Sequence, residues 1–319
     1  MRTAQLLAAV LIALAAPTQA EDWPAKPVRI VVSNSAGSSP DIVTRLVADR
    51  LTRAFGQSFV VDNRAGGQGL IGAELVARSA PDGYTLYMAS QDLYAANLFR
   101  FKSLPYDPER DFVPVANVVD SAPFVLAVHP DLPVKTYPEM IAYAKANSGK
   151  LSLGITIGAS EALARWINAT AGTQILLVPY KVNPQAAQAA VTGEIQALLI
   201  SLPSIDSFVR AGKLRIIGVS SSRRFPQLPD TPTLTEYHKG LVIEGRFILM
   251  APTGTPAAII DRLNREVDRM LREPEVIQRI RSFGFSSSDA MNTRSLQESI
   301  REARETWRRV AKDIDLRPE

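Results

Sequence analysis

The chain has 319 residues, of which 46% are hydrophobic and 21% charged, a composition that suggests roughly two folded domains and excludes a mainly disordered chain. It has no cysteine and two histidines, which excludes disulfides, thiolate nucleophiles and cysteine-ligated metal sites. The net charge of +4 is not concentrated in a basic run typical of nucleic-acid binding, since residues 261–319 carry 13 Lys and Arg against 12 Asp and Glu.

The first twenty residues have the pattern of a secretory signal peptide. Arg2 gives a positive start, an apolar run follows from residue 6 to 16, and Ala20 is a small residue suited to cleavage. The apolar run is too short to span a bilayer, which takes about 20 residues. We therefore expect residues 1–20 to be removed and the mature chain to be soluble and exported, where nucleotide cofactors are not reliably supplied.

Strands and helices alternate in the first region, residues 21–121. Ser39 suits the N-cap of its first helix, Pro40 the first helical position, and Asp41 the positive end of the helix dipole. The predicted elements are strand 28–32, helix 40–55, strand 59–61, glycine turn 66–69, helix 71–77 and strand 84–88. This alternation predicts a parallel sheet with right-handed crossovers.

A second region, residues 122–225, shows the same alternation. Its predicted elements are strand 124–128, helix 138–146, strand 151–155, helix 161–171, strand 176–178, helix 184–192 and strands 195–200 and 214–219. A loop rich in proline and polar residues at 223–233 indicates a boundary. Residues 226–319 then return to the first domain through a strand at 244–250, a helix at 257–272 and C-terminal helices, at 293–314, that cover it. The sequence thus predicts an α/β protein with two αβ domains.

One pattern imitates a dinucleotide-binding turn. The GxGxxG of residues 67–72 follows a strand, and Asp92 lies near the expected distance downstream. The connection from the strand is longer than that motif allows, so we interpret the glycines as permitting close approach of a helix to the sheet. There is no GxSxG turn, and neither His129 nor His238 has a recognisable catalytic context. We expect no enzyme activity, no cofactor and no metal.

The strand-to-helix turns are the remaining sequence feature that indicates a function. They are rich in Ser and Gly and lie at the carboxyl ends of strands, where open α/β sheets bind ligands. Backbone N–H groups and the positive ends of helices would surround a cleft between the domains. We therefore expect the turn at 35–41 to face the turn at 157–160 across a cleft for a small anion.

The mature chain resembles the periplasmic substrate-binding receptors of the tripartite tricarboxylate transporters, also called Bug receptors. The resemblance runs through short motifs in family order, at residues 26–32, 62–74, 80–86, 104–112, 178–181, 211–215, 228–233 and 251–256. It implies a type II periplasmic-binding-protein fold, with two αβ domains that close on a ligand. It also implies small carboxylates as the cargo.

The sequence departs from this family in the binding loops, so the resemblance implies the scaffold more firmly than the ligand. In the last strand between the domains, Arg246 stands where relatives have an aromatic residue. The candidate ligand-binding residues are Asn34, Ser35, Gly37, Ser38, Ser39, Asp41, Gln91, Ile157, Gly158, Ala159, Ser160, Ser201 and Arg246. We consider two roles for Arg246: a cation that faces the ligand, or half of an internal ion pair, for which Glu161 is the expected partner.

The resemblance implies a periplasmic receptor that captures a small organic acid for a membrane transporter and performs no reaction. We expect it to be a monomer. Two alternatives remain open at this point. The protein could be a ligand sensor that feeds a signalling partner, or an exported hydrolase. We expect no nucleic-acid partner.

Overall fold

The computed structural model describes residues 23–156, 158–288, 291 and 293–318. The predicted signal peptide and the candidate residue Ile157 lie outside the described residues. The strands are β1 (Val28–Val32), β2 (Phe59–Asn63), β3 (Thr85–Ala89), β4 (Phe112–Val128), β5 (Ser152–Thr156), β6 (Leu176–Tyr180), β7 (Ala197–Ser201), β8 (Arg215–Val219), β9 (Glu244–Pro252) and β10 (Ser286–Ser287). The helices are α1 (Ser39–Phe55), α2 (Leu70–Ala77), α3 (Asn97–Arg100), α4 (Tyr137–Ala146), α5 (Ala159–Ala171), α6 (Asn183–Val191), α7 (Asp206–Arg210), α8 (Ala257–Leu271), α9 (Pro274–Ser282) and α10 (Thr293–Asp313).

The strands form two halves that share β4. In the first half the order is β2, β1, β3, β9, β4, with β1 parallel to β2 and β3 and with β9 antiparallel to both of its neighbours. In the second half the order is β4, β7, β5, β6, with β5 parallel to β6 and β7, and β8 also pairs with β4. The predicted α/β architecture of two sheets covered by helices is confirmed.

Strand β4 is much longer than the predicted strand at 124–128. Its residues 112–123 pair with β9 in the first half, and its residues 124–128 pair with β7 in the second. Pro114 and Pro123 lie within it, and proline ordinarily argues against an interior strand because it cannot donate to the ladder. The register with β9 is irregular at three places, one of them directly after Pro114, and Pro123 lies at the end of this pairing. The domain boundary predicted between residues 121 and 122 falls inside β4 and stays a prediction.

The helices close the sheets by burying one face. Helix α8 buries Ile259, Leu263 and Val267, the apolar residues whose four-residue spacing predicted this helix. Helix α1 ends at Gly56, which adopts the left-handed conformation and donates its N–H to the Thr52 carbonyl. Burial of this face therefore packs α8 on the sheet, and the Gly56 hydrogen bond terminates α1 before β2.

Helix α10 contacts both halves, whereas the sequence predicted that it covers the first domain. Arg304 donates from Nε to the Tyr94 carbonyl at 2.7 Å and pairs with Glu109 at 2.6 Å. At the end of the helix, Asp313 accepts a hydrogen bond from the Trp166 indole of α5 at 3.0 Å. The helix therefore ties the first half to the second.

No helix in the described part of the chain has the length and apolar character required to cross a membrane.

Candidate functional site

Three helices begin at one cleft between the two halves. Ser39 and Pro40 of α1, Ala159 of α5 and Asn183 of α6 all line it. The first N–H groups of a helix have no partner within the helix, and the helix dipole places partial positive charge at that end. Their convergence gives the cleft the character of an anion site without a formal cation.

The loop before α1 is held in place by Asp41. This buried carboxylate accepts hydrogen bonds from the Gly37 N–H at 2.8 Å and from the Asn63 amide at 2.9 Å, and it pairs with Arg45 at 2.9 Å. Asn63 also donates to the Asn34 carbonyl at 3.0 Å. Burial opposes ionisation of Asp41, but these donors outweigh it and lower its pKa. Asp41 therefore holds the conformation of the loop through these hydrogen bonds and does not line the cleft.

The opposite wall is built by the second half. Thr156 ends β5 and Ser201 ends β7, and both line the cleft. The Asn183 amide donates to the Ser201 hydroxyl at 3.4 Å, which links the start of α6 to the end of β7. Ser160 points into the core, where its hydroxyl donates to the Leu199 carbonyl at 2.9 Å. These contacts fix the start of α5 against β7.

Aromatic side chains form the apolar part of the cleft. Phe124, Phe247 and Phe285 line it, and the rings of Phe247 and Phe285 meet edge to face with centroids 5.8 Å apart. Ala122 and Gly245, which lie opposite each other where β4 pairs with β9, complete this region. The cleft thus combines apolar surface with a few polar groups, as small-molecule sites do.

The cleft has a volume of about 190 Å³. Its lining residues are Asn34, Ser39, Pro40, Ser90, Gln91, Asp92, Ala122, Phe124, Thr156, Ala159, Asn183, Ser201, Gly245, Phe247 and Phe285. The structure therefore brings together five of the candidate residues: Asn34, Ser39, Gln91, Ala159 and Ser201. The turns at 35–41 and 157–160 both contribute to it, through Ser39 and Ala159.

The other candidate residues lie around this cleft. Ser35 lines an adjoining chamber of about 230 Å³, and Gly158 lines a groove of about 810 Å³ between α5 and the end of α10. Gly37 adopts φ 80° and donates to Asp41, and the Ser38 hydroxyl is buried without a hydrogen bond. Gly37 and Ser38, like Asp41 and Ser160, therefore support the cleft without lining it.

Arg246 does not line the cleft, although its neighbours Gly245 and Phe247 do. Its guanidinium pairs with Asp120 of β4 at 3.2 Å. The expected partner Glu161 is wrong, because Glu161 pairs with Arg165 one turn along α5 at 2.7 Å. The two carboxylates could not be distinguished from the sequence, since the pairing of β4 with β9 that brings Asp120 to Arg246 was not predicted. A direct ligand contact by Arg246 stays a prediction.

Several lining residues were not among the candidates. Ser90 and Asp92 follow β3, and Asn183 opens α6, so the rule of strand ends and helix starts could have found them. The aromatic residues gave no such signal, because a phenylalanine at a cleft and one in a core look alike in sequence. Asp92 was noted only as the acidic residue of the dinucleotide-like pattern.

Of the three glycines of that pattern, Gly69 lines the adjoining chamber, and the pattern does not open a helix directly after a strand. Gly67, Gln68 and Gly69 form a short 3₁₀ turn, and Gln68 adopts φ 53°. A Cβ at Gly72 would overlap the Ser33 hydroxyl, so α2 packs closely on the end of β1. This contact supports the interpretation that the glycines permit close approach. Gly66 and Gly69 face the chamber with Asn34, Ser90 and Asp92.

Neither histidine lines the cleft. In the described part of the chain, no group of three or more His, Asp or Glu side chains is arranged to hold a metal ion.

Comparison with known proteins finds a matching family model and several similar chains. The family model TctC, described as the tripartite tricarboxylate transporter family receptor, matches residues 43–316. A UPF0065 protein of Bordetella bronchiseptica is 36% identical over 98% of this chain and 93% of its own length. The solved structure of Rhodopseudomonas palustris Rpa4515 with adipate has a TM-score of 0.84 at 30% identity, over 93% of this chain and 100% of that one.

A second solved structure is also similar along almost the whole chain. MatC from Rhodopseudomonas palustris, with bound malate, has a TM-score of 0.77 at 27% identity and covers 90% of this chain and 99% of its own. The resemblance predicted from the sequence motifs is thereby confirmed, as is the type II periplasmic-binding-protein architecture. The chain belongs to the family of tripartite tricarboxylate transporter receptors.

Proposed function

We propose that this protein is an exported periplasmic receptor that captures a small carboxylate and delivers it to the membrane subunits of a tripartite tricarboxylate-type transporter. The observation that carries the proposal is the convergence of the starts of α1, α5 and α6 on one cleft. Two similar proteins, Rpa4515 and MatC, were solved with the dicarboxylates adipate and malate. Residues 1–20 supply the export signal.

The cleft would hold a carboxylate by replacing its water shell with fixed donors. Main-chain N–H groups at Ser39 and Ala159 supply partial positive charge, and the side chains of Asn183 and Ser201 supply further hydrogen bonds. Phe124 would pack on the carbon skeleton. Binding of this kind needs no chemistry on the ligand, which is released unchanged.

The experiment is calorimetry on the exported, ligand-free protein with a panel of mono-, di- and tricarboxylates. We expect at least one to bind and to be recovered unchanged. Ala159→Leu would fill the cleft and should weaken that binding about tenfold or more, the equivalent of one lost charged hydrogen bond. Ala54→Leu, on the exposed face of α1, is the matched control and should bind as wild type does.

Three results would contradict the proposal. The first is that no carboxylate binds, and the second is that Ala159→Leu binds as tightly as Ala54→Leu. The third is turnover of the ligand, which would favour the hydrolase. Transport is tested separately, by whether uptake of the identified ligand in cells requires both this protein and a tripartite transporter.

A further inference from the structure

One face of the paired strands β4 and β9 forms an apolar floor in the cleft. Side chains alternate between the two faces of a strand, so Ala122 and Phe124 share a face of β4, and Gly245 and Phe247 share a face of β9. Ala122 lies opposite Gly245 in the register, and all four residues line the cleft. Arg246, which lies between Gly245 and Phe247, does not line it. The floor, made of these four residues, therefore carries no charge.

Phe124 is the aromatic side chain of this floor that is open to the cleft. Phe247 and Phe285 are only 5% and 2% exposed and pack edge to face against each other. Phe124 is partly exposed, and its backbone N–H donates to the Ser220 hydroxyl at 2.9 Å. An apolar group of a ligand that covers this ring removes both surfaces from water, which favours binding.

The three helix starts at the cleft differ in the donors that they offer. Pro40 is the second residue of α1 and Pro184 the second residue of α6, and proline has no N–H. Helix α5 begins with residues 159–161, none of which is proline, and Gly158 before it makes no side-chain cap. The first N–H groups of α5 are thus all present and have no partner within the helix. A carboxylate finds its fullest set of donors at this helix start.

A second carboxylate would find no positive side chain in the rest of the cleft. Among the described residues that line it there is no Lys, Arg or His, and Asp92 is acidic. Arg100, whose Nη1 lies 4.0 Å from the Asp92 carboxylate, is not one of the lining residues. Asn34, Gln91 and Thr156 can form hydrogen bonds but bring no charge. A carboxylate placed on the apolar floor would lose hydration that no cation replaces.

We propose, on the basis of the receptor function above, that the ligand is a monocarboxylate with an apolar body, and that Phe124 selects it. The carboxylate lies at the start of α5, and the apolar body packs on Phe124. The cleft volume of about 190 Å³ is below the roughly 300–1,000 Å³ of pockets for drug-sized ligands, so the body is a short aliphatic chain or a single ring. A dicarboxylate of the same length would place its second charge on the apolar floor.

The test uses pairs of acids that share a carbon skeleton and differ by one carboxylate: butanoate and succinate, hexanoate and adipate, 4-methylbenzoate and terephthalate. Affinities are measured by calorimetry on the ligand-free exported protein, for wild type and Phe124→Ser. In wild type we expect at least one monocarboxylate to bind about tenfold or more tightly than its dicarboxylate. That ratio should fall about threefold or more in Phe124→Ser, because the apolar body loses its contact with the ring.

Phe101→Ser is the matched control, because Phe101 is also partly exposed and lines a surface groove outside the cleft, so the ratio should stay as in wild type. The wild-type ratio needs no variant and decides the matter alone if Phe124→Ser fails to fold by circular dichroism. The proposal is overturned if no monocarboxylate reaches that preference in wild type, or if Phe124→Ser and Phe101→Ser give the same ratio. In both cases the receptor function stands, whereas binding of no acid of any pair would overturn both.

Discussion

Removal of the Asp41 carboxylate tests how the loop before α1 is held. Asp41→Ala removes the acceptor of the Gly37 N–H, one of the two acceptors of the Asn63 amide, and the ion-pair partner of Arg45, which keeps its hydrogen bond to Asn63 Oδ1 at 3.2 Å. Each of the first two hydrogen bonds is made to a charge and contributes about 1.5 kcal/mol or more. Arg45 is half exposed, so its contribution is screened to at most about 1 kcal/mol. We expect the free energy of unfolding to fall by about 3–4 kcal/mol.

The assay is urea denaturation at pH 7, with Asp49→Ala as the control. Asp49 pairs with Arg53 at the same four-residue spacing and at 3.0 Å, close to the 2.9 Å of Asp41 and Arg45. Both side chains of the Asp49 pair are exposed, so loss of the pair should cost about 0.5 kcal/mol. Ligand affinity should fall with the Asp41 variant alone, because the Asn34 to Ser39 wall loses its support. If the two variants differed by less than about 1 kcal/mol, the loop would not depend on the Asp41 contacts.

The same site predicts a pH dependence. Since its donors lower the pKa of Asp41 in the folded state, its contribution is present above the ordinary pKa of an aspartate. That contribution is lost as the pH falls through the lower folded-state value. The stability gap between wild type and Asp41→Asn should therefore be full at pH 7 and shrink below about pH 4. A gap that stayed constant on acidification would show that the charge of Asp41 does not hold the loop.

Four further substitutions test the surrounding contacts by denaturation. Gly158→Ala should lower the unfolding free energy by about 1–3 kcal/mol, because Gly158 adopts φ 113° and ψ −133°, and a cost below about 0.5 kcal/mol would show that the turn relaxes. Trp166→Phe removes the donor to Asp313 and should cost about 1–3 kcal/mol, so unchanged stability would mean that this contact does not hold α10. Ser38→Ala should leave the unfolding free energy unchanged or raise it by up to about 1 kcal/mol, because the Ser38 hydroxyl is buried without a hydrogen bond. Gly37→Val should lower it by about 1–2 kcal/mol, because Gly37 has a positive φ. If Ser38→Ala were the more destabilising of the two, our description of the loop would be wrong.

Local patterns were sufficient to predict most of the elements. Strand β1 was predicted with its observed bounds, and helix α1 began one residue earlier than predicted, at Ser39. The first part of β4 was missed because Pro114, Asn117 and Asp120 interrupt its apolar pattern. Their pairing with β9 depends on residues more than a hundred positions away, and no local pattern carries that information.

The rule of strand ends and helix starts selected Asn34, Ser39 and Ala159, which line the cleft, and their contact with a ligand stays a prediction. The same rule also selected Ser160, whose hydroxyl donates to the Leu199 carbonyl in the core and does not line the cleft. The sequence does not show in which direction a side chain at the start of a helix points. Glu161 was expected to pair with Arg246 because it too stands where the family has an uncharged residue. The register of two antiparallel strands gave Arg246 Asp120 as its partner instead.

The sharing of β4 between the two halves determines how the molecule loses its structure. Each half needs part of the same strand to complete its sheet, and the first half also needs β9, which comes after the whole second half in the chain. Because one continuous strand belongs to both ladders, we expect the two halves to unfold together, and a substitution that destabilises either sheet to make the whole chain more susceptible to proteolysis.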